Sequence, residues 1–373
     1  VENWARRHRR WLWASVCALA VVTVVGFAVR APVKDWWLAR EACGGVLPGA
    51  DLEAVRSGVR LGAEEESFDE ERGRYRCVLE SDRGQVVVAV DTYLAGADRD
   101  RQMRSIGSSS PPYAVLPGGL PGFEDANSLV YLMPECPDRA KEPYGKHHRL
   151  LVGSWTYFAH SPAEKAAMLR LAVRMTNEMT KKLGCGGEPL PAPDEGAVPD
   201  RGMYVPRAQA KGTACNALAA ARVPEEGADG QVRVAVADGG VVGRCTLYGA
   251  GTASAERGRP LVELTSWRGE WAGDMREMGS GPAPLPLGPG ASRKPALSEH
   301  RAWAVAECGG ENVGFAAHWA EDYHHRAGPD RSGPATEAER QEQRVLLAEY
   351  VTAFAKDQVE RGNCKGLRVP PTA

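Results

Sequence analysis

The chain has 373 residues and a formal net charge of −2, with 46 Lys and Arg against 48 Asp and Glu. Its first ten residues hold four arginines and one glutamate, so residues 11–373 carry −5. That balance gives no electrostatic footprint for nucleic acid, and the length allows two or three domains.

Arg6, Arg7, Arg9 and Arg10 precede Trp11–Val29, a run of 19 residues without a charge. As a helix the run measures roughly 28 Å, close to the thickness of a bilayer's hydrocarbon. It reads as a transmembrane signal anchor in contact with the lipid bilayer. Flanking arginines stay inside, so residues 1–10 are expected as a cytoplasmic tail and the bulk of the chain beyond the cell membrane. Trp4, Trp11 and Trp13 at one end and Trp36 and Trp37 at the other suit the two interfaces. A buried core helix would show a polar face, and this run has only Ser15 and Thr23. A cleaved signal peptide fits poorly, because Pro32 would follow the cut after Val29-Arg30-Ala31. Cys17 lacks the small preceding residue of a lipid-modified cysteine and reads as a membrane-buried thiol. Residues 30–40 are the juxtamembrane stretch.

A first module is expected over residues 41–188. Residues 38–58 read as a short helix, a break at Pro48 and a second helix from Asp51. Tyr75–Glu80 and Gln85–Tyr93 form a hairpin across Ser81-Asp82-Arg83-Gly84. Ala126–Met133 and His148–Phe158 supply two further strands, with a Ser-, Pro- and Gly-rich loop over 108–123 between the hairpin and the first of them. Ser161-Pro162-Ala163-Glu164 is a capping-box start for a helix ending at Leu183 before Gly184. A proline-rich linker over 189–210 follows, expected to act as a semi-rigid spacer between distinct bodies that share no core.

The second module, residues 211–368, repeats the plan before a short tail over 369–373. Gln231–Ala237 and Val241–Tyr248 pair across Asp238-Gly239-Gly240. Leu261–Trp267, Ala302–Cys308 and Val313–Trp319 are strands, and Thr336-Glu337-Ala338-Glu339 opens a helix to about Arg361. Each module is thus α+β, an antiparallel sheet with an N-terminal and a long C-terminal helix on one face.

The cysteines mark the duplication. Cys43, Cys77, Cys136 and Cys185 are spaced 34, 59 and 49 apart, and Cys215, Cys245, Cys308 and Cys364 are spaced 30, 63 and 56 apart. Neighbours match as well: Ala42-Cys43 with Ala214-Cys215, Arg76-Cys77 with Arg244-Cys245, Glu135-Cys136 with Glu307-Cys308, and Val152-Gly153 with Val313-Gly314. An even number per copy in an exported chain implies two disulfides each, and the spacings lack the close pairs of a zinc site. The preferred pairing joins the helical cysteines, Cys43–Cys185 and Cys215–Cys364, and the strand cysteines, Cys77–Cys136 and Cys245–Cys308. The alternative joins first to second and third to fourth.

The stretch Ala42-Cys43-Gly44-Gly45-Val46-Leu47-Pro48-Gly49-Ala50-Asp51-Leu52, followed by Arg76-Cys77-Val78-Leu79, resembles a domain of unknown function found in actinobacterial exported lipoproteins and envelope proteins. Leu79 and Leu247 stand where that domain has an aromatic residue. The resemblance covers about a third of each copy. It implies an envelope protein without a known catalytic role and transfers no functional residues.

No catalytic, cofactor or metal residue is nominated. His318-Trp319-Ala320-Glu321-Asp322-Tyr323-His324-His325 has metal-ligand chemistry, but neighbours on a strand point to opposite faces, so it reads as a strand end and a solvated loop. His147-His148 reads as the polar start of a strand. Glu64-Glu65-Glu66 and Asp69-Glu70-Glu71 lack the ligand spacing of a calcium loop and read as a solvated acidic loop. Asp238-Gly239-Gly240 and Gly249-Ala250-Gly251 open no helix, so the phosphate-loop reading fails. Trp155, Trp267, Trp271, Trp303 and Trp319 suffice for a binding face, although core filling accounts for most such tryptophans. The expected function is a non-catalytic role in the cell envelope, interaction or structural, with an envelope protein as possible partner. A small-molecule or peptide binding module is the alternative, and an exported hydrolase stands behind both.

Overall fold

The computed structural model of the chain describes residues 2–94, 97–108, 112–139, 149–236, 240–250, 260–278, 293–320 and 336–371. The first element, α1 (Glu2–Glu41), absorbs the apolar run into a 40-residue helix. No helix among the described residues is long and apolar enough to cross a membrane, which overturns the transmembrane anchor. The run is one segment of a helix that continues through Arg30, Pro32, Lys34 and Asp35 to Arg40 and Glu41. Its last turns belong to the first module: Leu38 is buried, and Asp35 accepts from Arg56 and from the Leu61 amide, each at 2.7 Å. Trp36 and Trp37 are exposed, with the Arg40 guanidinium 4.8 Å from the Trp36 ring.

The first module continues with α2 (Gly49–Arg56), β1 (Leu61–Asp69), β2 (Arg74–Ser81), β3 (Val86–Tyr93), α3 (Ala97–Ser108), β4 (Pro112–Val115), β5 (Gly122–Asp125), β6 (Val130–Leu132), β7 (Leu151–Trp155) and α4 (Pro162–Lys182). Its antiparallel sheet runs β1-β2-β3-β7-β6-β5-β4. The second comprises β8 (Met203–Pro206), α5 (Asn216–Ala220), β9 (Gln231–Val236), β10 (Val242–Tyr248), β11 (Pro260–Arg268), α6 (Glu270–Met278), β12 (Ala296–Leu297), β13 (Arg301–Cys308), β14 (Glu311–Trp319), α7 (Glu337–Arg361) and β15 (Lys365–Arg368). Its order is β12-β13-β14-β11-β10-β9-β8, with β15 on β13. Both copies run a three-strand meander, then a helix, then strands that return so that the last one lies beside the third. The long covering helix comes next in each. Both covering helices carry complete capping boxes, Ser161 with Glu164 and Thr336 with Glu339.

Several local expectations are corrected. Glu64-Glu65-Glu66 is not a loop but the middle of β1, set opposite Leu79, Val78 and Cys77. An edge strand with carboxylates on it resists pairing with another chain, and that same charge hides the strand from an apolar-alternation reading. The stretch expected as loop over 108–123 contains β4 and the start of β5, and α3 precedes it. The turn residues Asp238 and Gly239 lie outside the described residues, as do His147, His148 and residues 321–325.

The four disulfides are Cys43–Cys77, Cys136–Cys185, Cys215–Cys245 and Cys308–Cys364, with Cα separations of 5.6, 4.0, 5.5 and 4.3 Å. The preferred helix-to-helix and strand-to-strand pairing is therefore wrong, and the alternative describes the molecule. Each bridge ties a helical or post-helical cysteine to the strand beneath it. Cys43 and Cys215 precede α2 and α5 and lie over β2 and β10. Cys185 and Cys364 follow the covering helices and meet residues just past β6 or at the end of β13.

Three hydrophobic clusters result. One lies between the first sheet and α4, and one between the second sheet and α7. The third belongs to both copies: Met103, Ile106, Phe123, Tyr131 and Leu151 pack against Trp267, Trp271, Met275, Trp303 and Val305. The sheets thus face each other with the sides their covering helices leave open, and α3 touches α6, its counterpart. Distinct bodies without a shared core were expected, but an aromatic core joins them. Phe123 lies 5.8 Å from Trp267 and 5.2 Å from Trp271, both edge-on. The Arg99–Asp274 ion pair, 2.8 Å long and almost wholly buried, closes the α3–α6 contact.

Candidate functional site

The side of the second sheet that faces the first copy is apolar at one end and charged at the other. Strand register sets the charged end as a row. Tyr204 on β8 pairs with Arg233 on β9, which pairs with Thr246 on β10. Thr246 then pairs with Glu263 on β11, Glu263 with His318 on β14, and His318 with Arg301 on β13. Paired residues share a face, so all six side chains stand on the inter-copy side. Arg244, two residues before Thr246, belongs to the same face.

Glu263 is the hub. It accepts from Arg244 Nη2 through one oxygen and lies 2.9 Å from His318 Nε2 through the other. Burial raises the pKa of its carboxyl, but the charge of Arg244 and the bond to His318 outweigh that and hold it well below the ordinary carboxylate range. Arg244 also donates to the Pro112 carbonyl of β4, linking the row to the first copy. Beside it, Arg233 stacks over Tyr113 with its guanidinium carbon 3.6 Å from the ring centroid, and donates to the carbonyls of Tyr113 and Arg201. Arg201 forks onto buried Glu124 at 2.6 and 3.0 Å and reaches Ser128 at 2.9 Å.

At the far end Arg301 donates to the Met275 carbonyl of α6 at 3.3 Å, and its guanidinium lies 5.6 Å from the Trp303 ring. Burial, with the like charge of Arg276, lowers its pKa to about 10. Several buried polar atoms of this face have no hydrogen-bond partner among the described residues: Arg244 Nε, Thr246 Oγ1, Arg301 Nε, Trp303 Nε1 and His318 Nδ1.

The row has no counterpart in the first copy. Cys77 and Cys245 align the two sheets, and the pairings Cys77–Val90–Ser154 and Cys245–Leu264–Ala317 fix the rest. Arg76 then matches Arg244, whereas Val78, Ala89 and Trp155 occupy the positions of Thr246, Glu263 and His318. The sequence match of Val152-Gly153 to Val313-Gly314 is accordingly offset, since Gly153 falls on Ala316. At these three positions the first copy places apolar side chains and the second a polar network centred on the Arg244–Glu263 ion pair.

The remaining candidates separate. Trp267, Trp271 and Trp303 fill the shared core, Trp319 packs on Tyr350 under α7, and Trp155 is half-buried. His318 and Trp319 point to opposite faces, as strand geometry requires. Cys43, Glu64 and Cys77 lie close enough to suggest a metal set, but the two sulfurs are bonded to each other and offer no thiolate. The sequence held one unread signal for the row: a lone carboxylate, Glu263, inside the apolar strand Leu261-Val262-Glu263-Leu264. No family model, curated protein or solved structure matches the chain.

Proposed function

We propose that the protein is a non-catalytic recognition protein that works in an oxidising compartment outside the cytoplasm. The observation that carries the non-catalytic part is the Glu263–Arg244–His318 network. A general base needs a pKa near the working pH, and Glu263 is driven the other way, with an arginine and an imidazole both engaged on it. Four disulfides, each closed within its own copy, support the oxidising compartment. A shared aromatic core and crossing ion pairs make a stiff body suited to presenting a surface.

Two measurements test this. Rapid thiol blocking in intact cells of the source organism should label the eight paired cysteines only after reduction. Free thiols there overturn the compartment. Purified protein should turn over chromogenic esters, peptides, glycosides and phosphoesters no faster than its His318→Ala variant. Turnover abolished by that substitution overturns the non-catalytic role. A second reading, small-molecule binding, is favoured by the polar row that replaces Val78, Ala89 and Trp155.

A further inference from the structure

Part of the charged row is more than the fold needs, because the sister copy folds with Val78, Ala89 and Trp155 at the register positions of Thr246, Glu263 and His318. A buried ionic network is expensive relative to apolar packing and adds little stability of its own. Within the row itself positive charge exceeds negative: Arg233, Arg244 and Arg301 stand against Glu263. Arg244 is matched by that carboxylate. Arg233 is stacked on Tyr113 and spends two donors on carbonyls. Arg301 has one long bond to a carbonyl and a buried Nε without an acceptor.

His318 adds a direction. Its Nε2 is committed to Glu263 on β11, and the two nitrogens of an imidazole point away from each other. Nδ1 is therefore turned from β11 toward the β13 side, where Arg301 is the register partner of His318. That Nδ1 is likewise buried and unpartnered. Two adjacent polar groups, one of them a permanently charged guanidinium fork, thus lack a shared ligand in a row where charge is unbalanced. A guanidinium next to an imidazole suits a planar or tetrahedral oxyanion when both ring nitrogens carry hydrogen, Nε2–H donating to Glu263 and Nδ1–H to the anion.

We propose that a small oxyanion, a carboxylate or a phosphate group, binds between Arg301 and His318 on the inter-copy face of the second sheet. Arg301 supplies the charge and two donors, Nε–H and one Nη–H. Trp303, beneath the guanidinium, supplies an apolar wall for the body that bears the anion. Glu263 and Arg244 are positioning residues: Glu263 fixes the imidazole by its Nε2, and Arg244 keeps Glu263 ionised so that it can. The first copy, with Trp155 in place of His318, has no equivalent site. This rests on the small-molecule binding reading and is independent of the compartment.

The test uses the full chain, with benzoate, succinate and inorganic phosphate as probes and benzamide as the uncharged control. Calorimetry should detect binding of at least one anion and none of benzamide, and which anion binds separates carboxylate from phosphate. Arg301→Gln should weaken that binding roughly tenfold or more, the effect of removing a charged hydrogen-bond donor. Arg301→Lys should recover part of it. Should Arg301→Gln fail to fold, nitrogen NMR of the wild-type imidazoles decides, with the His318 resonances assigned by His318→Gln. The bound anion should shift them. No binding of any probe, unchanged affinity in folded Arg301→Gln, or binding that leaves the His318 resonances unmoved would each overturn the proposal. None of these outcomes touches the non-catalytic role, which turnover decides.

Discussion

Glu263 and His318 are directly opposite on paired strands, 2.9 Å apart at their side-chain ends, where the first copy sets Ala89 opposite Trp155. Where the first copy of the scaffold has an apolar pair, the second has a hydrogen-bonded polar one. That difference changes both the stability of the second copy and its dependence on pH.

The depressed pKa of Glu263 has a defined sign. A carboxyl held more acidic in the folded chain stabilises it above the unfolded value, about 4.3, and loses that contribution as pH falls further toward the folded value. Glu263→Gln should cost roughly 3 kcal/mol near neutrality, because Arg244 is left buried without its counter-ion. The variant should also show a weaker fall in stability between about pH 4.3 and pH 2 than the parent. Urea unfolding followed across that pH range measures both.

The bridges make a prediction of connectivity and of magnitude. Non-reducing peptide mapping should recover Cys43 with Cys77, Cys136 with Cys185, Cys215 with Cys245 and Cys308 with Cys364. Replacing Cys308 and Cys364 by alanine together opens a loop spanning 56 positions and should cost about 2–4 kcal/mol in thermal or denaturant unfolding.

A shared core implies shared unfolding. Trp271 is 2% exposed, lies between Phe123 and Trp267, and donates to the Pro121 carbonyl at 3.3 Å. Trp271→Ala should cost roughly 3–5 kcal/mol. It should also split a single calorimetric transition into two, as the copies lose the contact that couples them. Asp274→Ala, which strands Arg99 in the same interface, should act in the same direction. A parent that already melts in two separate steps would contradict the coupling.

Gly314 gives a test of packing at one atom. A Cβ there would come within 2.0 Å of Trp303 Cζ2, so Gly314→Ala must displace the indole. A loss of about 1–3 kcal/mol is expected, with a change in tryptophan fluorescence. Gly118→Ala, whose Cβ would meet open space, serves as the comparison and should cost less, its strain coming from a positive φ alone.

Much of the architecture was legible along the chain. Both capping boxes, the hairpins at Tyr75–Tyr93 and Gln231–Tyr248 and the duplicated cysteine order are local signals, and each is written within a few residues. The α+β class and the twofold plan followed from them. Local signals failed where charge and composition masked structure: in the acidic edge strand β1, in α3, and in the short strands β4 and β5.

Disulfide partners and the candidate site were not legible, for one physical reason. Which cysteine meets which depends on where a helix end falls over a strand, and spacing along the chain does not encode that. Glu263, His318, Arg244 and Arg301 are scattered over four strands and about 75 positions and meet only because strand register aligns them. Residue order alone determined the hairpins, the capped covering helices, the repeat and the number of bridges. Packing of one sheet on the other decided which side chains are buried together, and so where an unbalanced charge is held.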